Sequence, residues 1–143
     1  PGKIKGGTVV DQALSCVDFM PTVMNLMDTK LSQKVDGRDA TALFTGSKTE
    51  WNDMAFIRST SAGKPWLCAV SDRYKLVYSD IGDPWLFDLQ KDPDEMTNFF
   101  SDPASKMILT QMTSRLQGYS QRQKDPYAEL PEIKAAMDEV LGK

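Results

Sequence analysis

The sequence predicts an α+β fold, a four-stranded antiparallel sheet packed by a C-terminal helix and preceded by a helical segment. Three observations predict it. Short runs rich in β-branched and aromatic residues stand at 54–58, 66–70, 74–78 and 85–89, with turn residues between them. Those connections are too short for the crossover that parallel strands require, so the runs form an antiparallel meander. On both sides of the block, apolar residues recur at three- and four-residue steps, the period of a helix face.

Residues 1–14 read as a Gly-rich entry, in which Val9-Val10 is expected to add one brief strand. A helix is expected over 15–28. Ser15 stands three residues before Asp18, the spacing of a capping box, and Pro21 falls early enough to be tolerated near the first turn. Val17, Met20, Val23, Met24 and Met27 share its apolar face, and methionines make such a face adaptable in packing. Asp36-Gly37 marks a turn, 40–45 makes about one helical turn ending at Gly46, and 47–52 is loop. The strands are then separated by Ser61-Ala62-Gly63, Ser71-Asp72-Arg73 and Gly82-Asp83-Pro84.

Asp102-Pro103 supplies an N-cap and a first-turn proline for the next helix. Its expected stripe is Ile108, Met112, Leu116 and Tyr119, laid across one face of the sheet. A polar linker over 120–124 leads to a last helix from Pro131, with Ile133, Met137, Val140 and Leu141 on one face, expected to reach away toward another part of a longer protein. The organisation is therefore 1–50, 51–120 and 121–143.

Seventeen Lys and Arg against twenty Asp and Glu leave a formal charge of −3 with no basic stripe, which argues against a nucleic-acid partner. The apolar runs fall far short of the ~18 residues a membrane span needs. Cys16 and Cys68 form no C-x-x-C pair and are expected to be reduced, buried thiols. The chain has no histidine, which removes Ser-His-Asp, Cys-His and His-zinc catalysis together. It opens at Pro1-Gly2 without Met and reads as a piece of something longer.

The densest acidic group is Asp88, Asp92, Asp94 and Glu95. It lacks the order of an EF-hand loop and holds Lys91 and Pro93, so a strand end followed by a turn is expected rather than an ion site. Arg58, Lys64, Arg73 and Lys75 lie on or beside the expected strands. Such cations suit an anionic ligand and equally protect a sheet edge from pairing with other chains. Trp51, Trp66 and Trp85 are expected in core or interface. No glycine-rich phosphate loop and no complete catalytic constellation is present.

Several stretches, taken in order, carry a family resemblance. Pro1-Gly2-Lys3-Ile4 leads to Val9-Val10; Ser15-Cys16-Val17-Asp18-Phe19-Met20-Pro21-Thr22 follows; then come Asp36-Gly37-Arg38-Asp39, Leu43-Phe44-Thr45-Gly46 and Arg73-Tyr74-Lys75-Leu76; and Leu86-Phe87-Asp88-Leu89 continues through Asp92-Pro93-Asp94-Glu95 to Asn98. Over residues 1 to about 118 the chain resembles the C-terminal third of type I sulfatases, in the alkaline phosphatase superfamily.

The resemblance implies a parent sulfuric ester hydrolase that uses calcium and a formylglycine made from Cys or Ser in a C/S-x-P-x-R sequence. Neither Cys16 nor Cys68 has the required Pro, and Ser101-Asp102-Pro103-Ala104-Ser105 lacks the Arg, so no catalytic or metal residue is carried over. It further implies that residues 1–50 end the main domain and that 51–120 form a subdomain bordering the substrate cleft, where Arg58 and Lys64 would meet an anionic substrate. The partner implied is the rest of the same polypeptide, with the Met-rich helix face available for self-association when uncovered. A periplasmic, secreted or lysosomal parent follows by the same resemblance. The alternatives are a fragment of a related phosphodiesterase or phosphonate hydrolase, and a stand-alone module that binds an anionic glycan or a protein.

Overall fold

A computed structural model of the chain describes residues 2–60 and 63–143. The chain divides into two compact units, Pro1–Ala55 and Phe56–Lys143.

The first unit contains two short helices. A 3-10 turn at Cys16–Asp18 leads into α1, Phe19–Leu26. Ser15 N–H donates to Asp18 Oδ2 at 2.9 Å, and Pro21 is the third helical residue, where no intrahelical donor is lost. The helix stops short of the expected 28, because Asp28 takes a positive φ of 54°. α2, Thr41–Thr45, ends at Gly46, whose left-handed φ of 71° lets Ser47 N–H reach back to the Ala42 carbonyl at 2.9 Å. Val9-Val10 forms no strand, and Val9 is exposed. Cys16 is also exposed, against expectation, while Cys68 is buried, and both are free thiols.

The second unit is built on a four-stranded sheet in the order β1-β2-β3-β4, with β1 at Ala55–Arg58, β2 at Trp66–Val70, β3 at Tyr74–Ser79 and β4 at Gly82–Asp88. β2 with β3 and β3 with β4 run antiparallel, with Cys68 opposite Val77 and Val77 opposite Trp85. The turn expected at Ser61-Ala62-Gly63 falls partly outside the described residues. Gly82-Asp83-Pro84, expected as a turn, lies inside β4 instead. The chain reverses at Asp80-Ile81, and a register shift between Val77 and Ser79 absorbs the misfit beside Pro84, which has no N–H to give to a ladder. Proline is tolerated because β4 is an edge strand.

Alternation puts Leu67, Ala69, Leu76, Tyr78 and Leu86 on one face, all buried. That face is covered by α3, Lys106–Gln123, and α4, Pro131–Leu141. Asp102 Oδ1 accepts the Ala104 N–H at 2.9 Å and opens the turn before α3, as its sequence predicts. The buried stripe of α3 is Leu109, Met112, Thr113, Leu116 and Ser120, a rotation away from the expected Ile108 and Tyr119. Tyr119 instead stacks on Phe56 with ring centroids 4.2 Å apart. The rotation follows from Tyr78, whose buried hydroxyl needs a partner and finds Thr113 Oγ1 at 2.6 Å.

Residues 120–124 are no linker. α3 runs through Gln123, and α4 folds back so that Ile133 and Met137 are fully buried against α3 and β3.

Candidate functional site

In the first unit the polar residues of the family-like stretches converge on Asp18. Its carboxylate, 3% exposed as a residue, accepts N–H groups from Ser15 at 2.9 Å and Arg38 at 2.7 Å, and the Arg38 guanidinium at 3.3 Å. Arg38 also donates to the Asn52 carbonyl at 2.7 Å and lies 3.9 Å over the Trp51 ring. The Trp51 Nε1–H reaches the Ala13 carbonyl at 3.2 Å. Buried Thr22 relays the network, donating to the Asp18 carbonyl at 2.6 Å and accepting Ala40 N–H at 2.9 Å. Asp39 caps α2 through Thr41 N–H and accepts from Asn25. Gly37 is required by space rather than by φ, since a Cβ there would lie 1.8 Å from the Val17 carbonyl oxygen. The network therefore joins three separate pieces of chain through backbone groups.

The acidic group of the second unit is built the same way. Arg73 forks onto the buried Asp88 carboxylate with bonds of 3.0 and 2.8 Å, and Asp88 Oδ1 also receives the N–H groups of Gln90 and Lys91. Lys75 pairs with Glu95, Nζ to Oε2 at 2.6 Å, and Asp92 accepts the Thr97 N–H at 2.6 Å. Asn98 mimics a neighbouring strand for the β4 edge. Its amide donates to the Pro84 carbonyl and accepts the Leu86 N–H, both at 3.0 Å. Among the described residues no group of three or more His, Cys, Asp or Glu is placed to share one metal ion.

The arginine fork holds the Asp88 carboxyl below the usual carboxylate range, against the opposing effect of burial. For Asp18, burial pushes upward, but the N–H groups of Arg38 and Ser15 and the Arg38 guanidinium outweigh it, so the net shift is downward. A lowered folded pKa contributes stability that is present above the unfolded value of about 3.9 and is lost as pH falls through the folded value. Asp80 opposes this, raised by burial and by facing Glu132. The urea midpoint should thus hold from pH 7 to about 5 and fall steeply below about 4, with a shallower fall in Asp88→Asn. An unchanged acid slope in that variant would remove Asp88 from the account.

The two expected substrate contacts do not come together. Arg58, on β1, is drawn to the α3 side, where it pairs with Asp125 at 3.2 Å and lies 5.0 Å from the Tyr127 ring centroid. Lys64 borders the opposite, open face of the sheet, in a hollow lined also by Trp66, Cys68, Trp85 and Phe87. Its loop is pinned at the base by Ser59, whose hydroxyl donates to the Lys64 carbonyl and accepts the Trp66 N–H. Burial pushes the Cys68 thiol up to about 11, which leaves it protonated and a poor nucleophile near neutral pH. Sequence reasoning missed Asp18 and Asp125 as cation partners; each lies many residues from its arginine, and only the α-helical and 3-10 turns bring them close.

The described residues thus form an antiparallel sheet-and-helix unit, preceded in the chain by a helical unit whose motif residues pin backbone. The chain belongs to the family of N-sulphoglucosamine sulphohydrolase C-terminal domains, which it matches over residues 1–123. It is 26% identical over 133 residues to an arylsulfatase of Clostridium perfringens, covering 84% of this chain and 27% of that protein. With an uncharacterized sulfatase, YidJ, of Escherichia coli it shares 29% over 121 residues, 82% of this chain and 24% of the relative. Among solved structures it is similar to a 2-O GAG sulfatase, with a TM-score of 0.76, 26% identity, and coverage of 91% of this chain and 30% of the other. A phosphonate monoester hydrolase of Agrobacterium radiobacter, 24% identical with a TM-score of 0.55 over 73% of this chain and 24% of that one, shares the fold alone. The chain thus spans about a quarter of the length of the curated relatives it matches, 27% and 24%.

Proposed function

We propose that this chain is the C-terminal part of a sulfuric ester hydrolase, inert by itself, which scaffolds the main domain and borders its substrate cleft. The observation that carries this reading is the family match over residues 1–123 in a chain that corresponds to only 27% of a full arylsulfatase. The residues present do not fit the groups the reaction requires. Cys16 is followed by Val-Asp and Cys68 by Ala-Val, so neither matches the formylglycine sequence, and Cys68 is buried with its thiol pushed up. The carboxylates nearest to a calcium-like cluster are already engaged, Asp88 by Arg73 and Glu95 by Lys75. Nucleophile and calcium ligands therefore belong to the rest of the polypeptide in this reading.

Of the two cations assigned to an anionic substrate, Lys64 is the better placed. It is exposed and bordered by Trp66 and Trp85, whereas Arg58 is held by Asp125 and Tyr127. The resemblance to sulfatases supports a parent that acts outside the cytoplasm, in the periplasm, as a secreted form or in a lysosome. No helix among the described residues is long and apolar enough to cross a membrane.

The experiment is turnover of an aryl sulfate by the purified 143-residue chain. Hydrolysis at the level of buffer is expected. Activity that survives repurification and scales with the chain would overturn the proposal.

A further inference from the structure

The sheet of the second unit has one face covered by α3 and α4 and one face bare. The bare face is not the polar surface that a half-exposed antiparallel sheet normally presents to water. Its residues, at Cys68 opposite Val77 opposite Trp85 and at Lys75 opposite Phe87, alternate with the set under α3 and α4, and Cys68 among them is shielded by its neighbours. Trp85 is 51% exposed, Ile57 48% and Ile81 62%, around a shallow hollow of about 700 Å³ that also includes Trp66 and Phe87. Charge lies at its margin, in the Lys75–Glu95 pair, Lys64 and Asp83. A contiguous apolar patch of this kind marks an interface. It is too open for a small-molecule site, and it lacks the convergent polar groups that would orient a small ligand.

We propose that this face docks against the catalytic portion of the same sulfatase polypeptide, with Trp85 as its central anchor. The inference rests on the reading under Proposed function and adds to it the surface through which the C-terminal part is held. The choice of occupant follows from chain length. This chain accounts for only 24% to 30% of the sulfatases it resembles, so most of such a polypeptide lies outside it.

Hydroxyl-radical footprinting tests this on the 143-residue chain and on the full polypeptide encoded by the frame that carries it, with an added peptide as dose control. Trp85 is expected to label readily in the short chain and to lose most of that labelling in the long one. Trp85→Asp should leave the circular dichroism and melting of the short chain unchanged while lowering the melting temperature of the long one. Equal Trp85 labelling in both, in a long polypeptide that hydrolyses an aryl sulfate, would overturn the docking face and leave the sulfatase reading standing. Protection that grows with concentration of the short chain, with dimer by sedimentation, would overturn the choice of occupant. A frame that encodes no longer polypeptide would remove both.

Discussion

Gly37→Ala is expected to unfold the first unit, because the added methyl would sit 1.8 Å from the Val17 carbonyl oxygen and 2.4 Å from its carbon. Both atoms are backbone, so no side chain can rotate away. Relief requires separating the 36–39 turn from the 15–18 turn, which pulls Arg38 N–H off Asp18 and strands a buried carboxylate. The cost should exceed the ~1–3 kcal/mol of ordinary overpacking. Gly46→Ala gives the calibration. No atom lies within 4 Å of its added Cβ, but its φ of 71° is left-handed, and only the backbone penalty of roughly 1–2 kcal/mol applies. Thermal melts, with Trp51 fluorescence reporting the Arg38 contact, should rank Gly37→Ala well below Gly46→Ala. The reverse order would mean that the 36–39 turn is not packed as described.

Leu76→Ala is expected to cost about 2–5 kcal/mol, the range for emptying a fully buried leucine site. Leu76 sits at the centre of β3 with no exposed surface, between Ala69 and Leu86 in register. Its neighbours cannot collapse into the space easily, because β3 is paired on both sides. A domain of this size has only about 5–15 kcal/mol in total, so the variant should be close to unfolding at 37 °C. Met107→Ala, at 83% exposed, should stay within about 0.5 kcal/mol. Urea midpoints compare the two, and similar values would contradict the placement of the core on the α3 side.

The strands were legible because β-branched and aromatic runs with polar punctuation leave few alternatives. Pro84 shows where that reading stops. Proline signals a turn locally, and only the edge position of β4 and the register shift beside it make a strand possible. The segment 120–124 misleads for a related reason: Gln121 to Gln123 are polar because they face solvent on a helix, and the one buried residue, Ser120, is polar too. At the candidate site the residue types were readable and their partners were not. Asp36-Gly37-Arg38-Asp39 stands out in the sequence as a motif, yet its physical reason is the backbone of Val17 and the carboxylate of Asp18, twenty residues away. Arg58 carries the charge an anionic substrate would want, while the Asp125 that meets it lies 67 residues on. Long-range pairing of this sort leaves no periodic trace.

The coding sequence upstream of Pro1 tests the central claim most directly. A C/S-x-P-x-R sequence and an Asp-rich metal set in the same frame are the predicted result, and they would make this chain the C-terminal part of one sulfatase polypeptide. A start codon a few residues upstream, with neither feature present, would contradict it and turn the chain into a stand-alone binding module.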